Sequence, residues 1–194
     1  VGEIVRTRRL LLRRFESSDV DNLLTLYGDA EVMRFLDAGR WDRARIESET
    51  LPSLLAEYRR YRRYGYFAAQ TLDGAFVGRI GVHPVILDPS PDGLWENAPT
   101  DTSETVSIGY RLTRPHWGRG YATEAAGALL APAFEQGGAR HAVATTMAVN
   151  HASRKVLERL GFAHTRTVHL DWEDPLPGTE QGEVVYERAR PHFT

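Results

Sequence analysis

At 194 residues, with no cysteine and 42% apolar residues, the chain has the make-up of one globular domain that needs neither disulfides nor thiolate metal sites. Its formal charge of −2 argues against a nucleic-acid binder, and no apolar run approaches the roughly 18 residues of a membrane span. The opening V-G-E-I-V-R-T-R-R has no signal-peptide core, so a cytoplasmic protein is expected.

Arg9 to Phe15 reads as the first strand. Ser18 fits an N-cap, with Asp19 and Asp21 in the first turn, where acids suit the helix dipole. Val20, Leu23, Leu24 and Tyr27 form the apolar stripe of that helix, and Gly28 ends it. A short helix is expected over Glu31 to Leu36. Asp42 caps a long helix to Tyr64, which Pro52 should kink or split. The arginines at 59, 60, 62 and 63 suit its C-terminal dipole and read as a solvated face above packed tyrosines.

Tyr66 to Leu72 and Ala75 to Ile86 form a hairpin about Asp73-Gly74. Residues 87–104 are a long acidic loop. Trp95 in its middle is either a packing anchor or a wall of an acceptor site. A strand from Thr105 to Thr113 then runs into a turn bearing Pro115, Gly118 and Gly120. A helix follows from Tyr121, with Ala122, Ala125, Ala126 and Leu129 on one face and Pro132 inside it. His141 to Met147 is a strand covered on both faces. Asn150 caps a helix that ends at Leu160, and strands follow over Phe162–Asp171 and Val184–Arg188. The order predicts a single domain over 1–194, an α/β mixed sheet with helices on both faces.

Charge is unevenly spread. Residues 88–104 hold five acids (Asp88, Asp92, Glu96, Asp101, Glu104) and no base, and residues 171–183 hold five more with no base. Outside these two segments 16 acids remain against 24 bases. If both segments reach one opening, they should draw in a cationic ligand.

The turn before Tyr121 carries the chemistry. A glycine-bearing turn that opens a helix presents free N–H groups and the positive end of the helix dipole, which is an anion site. Arg114, His116 and Arg119 flank it and can add charge-assisted bonds. The spacing alone also fits a tight turn with no ligand. Neither G-x-x-x-x-G-K-[ST] nor a third glycine of G-x-G-x-x-G is present, since Thr123 stands at that place.

The run Y-R-L-x-x-x-x-W-G-R-G-Y-A-T-E-A from Tyr110 is similar to the acetyl-CoA-binding segment of GCN5-related N-acetyltransferases (GNAT), closest to the RimJ/RimL-like branch. R-L-L-L-R-R-F at 9–15, D-A-E-V-M-R-F-L at 29–36 and N-H-A-S-R-K-V-L-E-R-L-G-F at 150–162 resemble further family segments in the same order. The resemblance implies a mostly antiparallel sheet with a splayed gap between the fourth and fifth strands. It implies acetyl-CoA as co-substrate, with the backbone of Arg111, Leu112 and Thr113 pairing with pantetheine. The amides of Gly118, Arg119, Gly120, Tyr121, Ala122 and Thr123 would hold the pyrophosphate. Trp117 departs from the general family pattern at its position, although tryptophan is usual in this branch. Asn150 matches a cofactor-contacting asparagine, and Arg154 and Lys155 suit a 3′-phosphate.

Amide formation from a thioester needs a bound acyl donor, a neutral amine and donors for the developing oxyanion. Ser153 shares the inward stripe of Val156, Leu157 and Leu160. Its hydroxyl either bonds back to the Val149 carbonyl or donates to the departing sulfur. The resemblance would put a tyrosine acid at Leu157 and a glutamate base at Ser107, and both are absent. Glu104, Ser107, His83, His169 and Asp171 are the remaining candidates for proton transfer, beside a water relay or an amine already deprotonated. No histidine spacing suggests a metal, and none is expected.

The resemblance thus implies an N-acetyltransferase acting on a primary amine, either a protein N-terminus or a small cationic molecule. Trp95 and Asp171 are expected on the acceptor side, with a homodimer left open. A non-catalytic acyl-CoA-binding module of the same fold is the alternative, kept alive by Ser107 and Leu157.

Overall fold

The computed structural model describes residues 3–36, 41–87 and 94–191. The chain opens on a hairpin of β1 (Glu3–Arg6) and β2 (Leu10–Arg14), whose second arm is the expected first strand. Helices α1 (Val20–Tyr27), α2 (Ala30–Met33), α3 (Arg43–Arg45) and α4 (Leu51–Arg60) follow. The hairpin of β3 (Gly65–Thr71) and β4 (Phe76–Ile86) turns at Gly74, whose φ of 94° only glycine adopts readily. A two-residue strand, β5 (Glu96–Asn97), lies in the acidic loop. Then come β6 (Thr105–Leu112), α5 (Tyr121–Glu135), β7 (His141–Met147), α6 (His151–Arg159), β8 (Ala163–Val168) and β9 (Glu183–Ala189).

The expected long helix from Asp42 to Tyr64 is divided. Residues Ile46–Thr50 form a wide π turn, in which the Leu51 amide reaches back five residues to the Ile46 carbonyl. Pro52 therefore falls in the first turn of α4, where a missing N–H costs little. Ser18, expected as the N-cap of the first helix, lies instead in a 3-10 turn over Ser17–Asp19, and Asp19 takes the cap position. Asp19 is 1% exposed and takes two 2.7 Å bonds from the Arg13 guanidinium, one from Asn22 and one from the Glu16 amide.

The strands form one sheet in the order β1-β2-β3-β4-β6-β7-β9-β8, with β5 on β4. Every pair is antiparallel except β6 with β7. On one face α5 and α6 bury Leu129, Leu130, Phe134 and Leu157 against Ile80, Val106, Ala142 and Tyr186. On the other face Leu23, Leu26, Met33 and Leu54 of α1, α2 and α4 close over Phe15 and Ala68. This is the mixed, mostly antiparallel sheet with helices on both faces that was expected. No helix among the described residues is long and apolar enough to cross a membrane.

Candidate active site

The parallel pair is short. β6 and β7 are in register at Thr105/His141, Val106/Ala142 and Ser107/Val143, and no pairing follows. Beyond Ser107 the two strands separate, although β6 continues to Leu112 and β7 to Met147. This is the expected splay; β1 and β5 move the fourth and fifth predicted strands to sixth and seventh.

Backbone parity decides which groups line the gap. The Glu104 carbonyl accepts from the amides of Arg140 and His141, on the β7 side. The Thr113 amide donates to the Val77 carbonyl, on the β4 side. The β4–β6 register runs unbroken from Val85/Thr105 to Gly78/Leu112. Alternation along the strand therefore turns Ile108, Tyr110 and Leu112 toward the gap, and Ser107, Gly109, Arg111 and Thr113 toward β4. This corrects the expectation for pantetheine: of Arg111, Leu112 and Thr113, only Leu112 presents its backbone there. The Leu112 carbonyl also accepts from the Trp117 indole at 2.7 Å, which gives that tryptophan a positioning role.

At the end of β6 the chain enters the glycine turn. Gly118 (φ 70°) and Gly120 (φ 77°) both take the left-handed conformation, and Gly120 caps α5. None of the amides from Gly118 to Thr123 donates to a backbone carbonyl outside a helix among the described residues, while the Glu124 amide closes the first helical bond on Gly120. The Thr123 hydroxyl is buried with no partner among the described residues. A row of free donors and an orphaned hydroxyl at a helix N-terminus fit a phosphate-bearing group. A Cβ on Gly118 would meet nothing within 4 Å, and one on Gly120 would meet only Arg9.

Arg9 is the residue here that the sequence did not point to. It reaches over from the β1–β2 turn, donates from Nη1 to the Arg119 carbonyl at 2.9 Å and lies 4.7 Å from the Tyr121 ring centre. Glu124 holds it with Oε2 at 2.6 Å from Arg9 Nε, and Oε1 accepts from Thr7 Oγ1 and the Arg9 amide. Burial pushes the Glu124 carboxyl up, but the bonds from Thr7 and Arg9 outweigh it and hold the group below its usual range. Arg114 is drawn aside to Asp29 at 2.7 Å, and His116 to Thr113 at 2.8 Å. We expect Glu124→Ala to free the β1–β2 turn from α5 and weaken acetyl-CoA binding several-fold; calorimetry showing unchanged affinity would separate that turn from the site.

Across the gap, α6 begins at Asn150, whose side chain accepts the Ser153 amide at 3.2 Å. The Ser153 hydroxyl does not bond back along the helix. It lies 3.1 Å from the Tyr110 hydroxyl, which also donates to the Ser153 carbonyl at 2.9 Å. Burial pushes the Tyr110 phenol well up, against the lowering effect of its bond to Ser153, so it stays a neutral donor. Leu157, 1% exposed, is a core residue. Tyr110 thus brings from β6 a phenol that α6 lacks. Arg154 is turned inward, bonded to the Tyr186 hydroxyl and the Ala148 carbonyl, both at 3.1 Å, so it does not serve a 3′-phosphate as placed. Lys155 is exposed on α6.

The proton-transfer candidates scatter. Glu104 is 68% exposed beside Arg140, at the paired end of β6 and about four residues, or roughly 13 Å, from the first splayed position. That corrects its placement as base. Ser107 is half-buried where the pairing ends, opposite His83. His83 is 4% exposed and 3.1 Å from Glu57, with the Tyr66 ring 4.4 Å away. His169 and Asp171 are exposed beyond β8. The face shared by His83 and Ser107 also carries Arg79 and Arg111, which are register partners. Arg79 bonds the Tyr27 hydroxyl and stacks 3.3 Å from the Tyr66 ring centre, and Arg111 lies 4.7 Å from that of Tyr27.

The described anchors of the two acidic segments lie at opposite ends of β7. Residues 94–104 anchor at the start of β7, with Ala98 on Pro84, Asp101 on the Arg62 amide and Trp95 half-buried just before β5. Residues 178–182 anchor at its end, where the Ala148 amide meets the Gly182 carbonyl. β7 spans seven residues, so roughly 20 Å separate them. Trp95 is accordingly far from the splay. Asp88 and Asp92 lie outside the described residues.

Comparison with known proteins agrees with this geometry. Residues 9–163 match the family model described as an acetyltransferase (GNAT) domain. The FsC-acetyl coenzyme A-N(2)-transacetylase of Aspergillus fumigatus is 36% identical over 106 residues, which are 50% of this chain and 45% of that relative's length. An uncharacterized protein of Bacillus subtilis, YkkB, is 27% identical over 186 residues, covering 94% and 93% of the two chains. The fold is shared with RimL, the ribosomal L7/L12 α-N-protein acetyltransferase solved with coenzyme A, at a TM-score of 0.73 and 19% identity over 97% of this chain and 98% of that one. With four-fifths of its length matched by the family model and a gap and anion turn where the motif places them, the chain belongs to the GNAT acetyltransferases.

Proposed function

We propose that this protein transfers the acetyl group of acetyl-CoA to a primary amine, a protein N-terminus or a small molecule, which reaches the gap from the face of α1–α4. The observation that carries this reading is the parallel pair that opens after Ser107/Val143 directly beside the undonated amides of Gly118 to Thr123. Acetyl-CoA supplies an activated acyl group. The gap-facing N–H groups of Ile108 and Tyr110 stand where an oxyanion donor is needed, fixed by the β4 ladder before any substrate arrives. The linked hydroxyls of Ser153 and Tyr110 can exchange one of their present bonds for donation to the leaving sulfur. A thiolate with a pKa near 8.5 needs only modest help.

Ser153→Ala is expected to lower kcat about tenfold with acetyl-CoA affinity within twofold, and Tyr110→Phe to act in the same direction. If kcat is unchanged in both, the hydroxyl pair only ties β6 to α6. The chain's kinship with RimL in fold, and with the N(2)-transacetylase in part of its sequence, supports amine nitrogens as acceptors. The described anchors of the two acidic segments are separated and so do not add support for a cationic acceptor in particular. The alternative, a binding module without transfer, is distinguished by an amine panel with coupled thiol detection.

A further inference from the structure

Resting on the acetyl-transfer reading, we infer that Glu183 is the general base that takes the proton from the incoming ammonium group. Glu183 is the first residue of β9 and the register partner of Met147, the last residue of β7, and of Val168 on β8. Met147 belongs to the stretch of β7 that has left β6, so Glu183 stands one strand, about 5 Å, behind the edge of the gap. Its direction follows from alternation. Val184 and Tyr186 join the core under α5 and α6, so Glu183 and Val185 point to the opposite face. The same alternation, with Ser107 beside Val143, puts that face in common with Ser107, Gly109, Arg111 and Arg79, where α1–α4 pack.

The residue is 9% exposed, and its carboxyl makes no hydrogen bond or ion pair among the described residues. A largely buried carboxyl without a protein partner costs stability, although the Glu183 oxygens are not among the fully enclosed orphan atoms and so keep contact with water. Arg166 and Glu187 share its face and pair with each other, at 3.3 Å. His169 lies near Gly182. β7 offers Val143, Thr145 and Met147 on this side, with exposed His141 at its far end, and Arg79, Arg111 and His83 lie beyond the gap. Burial alone raises the carboxyl to about 7. A group of that basicity, directly or through one water, is matched to proton transfer at neutral pH.

The step balances. The ammonium N–H bond breaks and its proton passes to the Glu183 carboxylate. The freed lone pair forms the C–N bond, the C–S bond breaks, and its electrons leave on the sulfur. The sulfur takes a proton from the nitrogen by way of the Ser153 and Tyr110 hydroxyls. Glu183 returns its proton to water, so one proton is released per turnover.

Two measurements test this. Carbon-13 NMR of glutamate-labelled protein, with Glu183→Gln as the assignment blank, should show a carboxyl with a midpoint about 7; a midpoint in the ordinary range near 4.3 overturns the inference. Second, kcat/KM is followed from pH 5.5 to 9.5 with a tetrapeptide N-terminus and benzylamine as probes. The carboxylate form acts, so the wild-type rate should fall tenfold per pH unit below about 7 and level off above it. With benzylamine, Glu183→Gln should lose about 100-fold at pH 7.5 and keep climbing with pH, as only free amine reacts; with the tetrapeptide its midpoint should move up from about 7 to the α-amino value of about 8. Glu183→Asp should keep the plateau at reduced height, and both variants should bind acetyl-CoA within twofold of wild type. An active wild type whose midpoint of about 7 persists in Glu183→Gln overturns the base and leaves acetyl transfer standing. A wild type that binds acetyl-CoA and acetylates neither probe nor any amine of the panel overturns both.

Discussion

Gly120→Glu should reduce acetyl-CoA affinity at least 100-fold, about 2.8 kcal/mol. Two effects add. Gly120 has φ 77°, so any side chain strains the turn by roughly 1–2 kcal/mol. The carboxylate would also sit among the amides of Gly118 to Thr123 and repel the pyrophosphate they are placed to hold. Gly120→Ala separates the two, because it carries the strain without the charge and should cost stability more than affinity. Calorimetry decides: Gly120→Glu protein that folds and binds acetyl-CoA as wild type does would move the phosphate site elsewhere.

Asp19→Ala should lose about 3–5 kcal/mol of stability, the usual consequence of stranding a buried partner charge. Here the stranded group is Arg13, whose guanidinium gives two bonds to Asp19 and has the half-exposed Glu16 at 3.8 Å as its other ion-pair partner. At this chain length the melting temperature should fall by roughly 10 °C. Burial pushes the Asp19 carboxyl up, but Arg13, Asn22 and the Glu16 amide outweigh it and hold the group below its usual range. A depressed carboxyl contributes stability that is complete above its unfolded value of about 3.9 and is lost as pH falls through the folded value. The gap between wild type and variant should therefore be constant from pH 7 to 5 and shrink below about 4. A variant melting within 2 °C of wild type would reduce the pair to a surface contact.

Local signals carried most of the fold. The Asp73-Gly74 turn, the run from Thr105 to Leu112, the two glycines before α5 and the Asn150 cap each state their geometry within a few residues. β1 and β5 have four and two residues, too short for any period to show. The π turn at Ile46–Thr50 resolved the conflict between a helical stripe and Pro52 in a way the stripe alone does not encode.

The site was legible where it is made of backbone and hidden where it depends on strand order. Gly118 and Gly120 are visible in the sequence, whereas Arg9 meets them only because the β1–β2 turn lies against α5, 115 residues away from Glu124 along the chain. The Tyr110–Ser153 contact spans 43 residues, and needs β6 to face α6 across the splay. Parity within β6 was available in principle. The side that faces β4 becomes known only once the Glu104 and Thr113 backbone bonds are seen. Glu183 read as one more acid of a polar loop, because its burial comes from the neighbouring strands. A shared acidic mouth depends on strand order for a related reason: both segments follow strands, and their described anchors lie at opposite ends of β7.

The most direct measurement is thiol release from acetyl-CoA by the wild-type protein across a panel of primary amines, with the acetylated product weighed by mass spectrometry. Acetyl transfer predicts that one thiol appears for each N-acetyl group formed and that release depends on the amine. Protein that binds acetyl-CoA tightly, yet releases thiol no faster with any amine than without one, would contradict it and leave the chain a binding module of the GNAT fold.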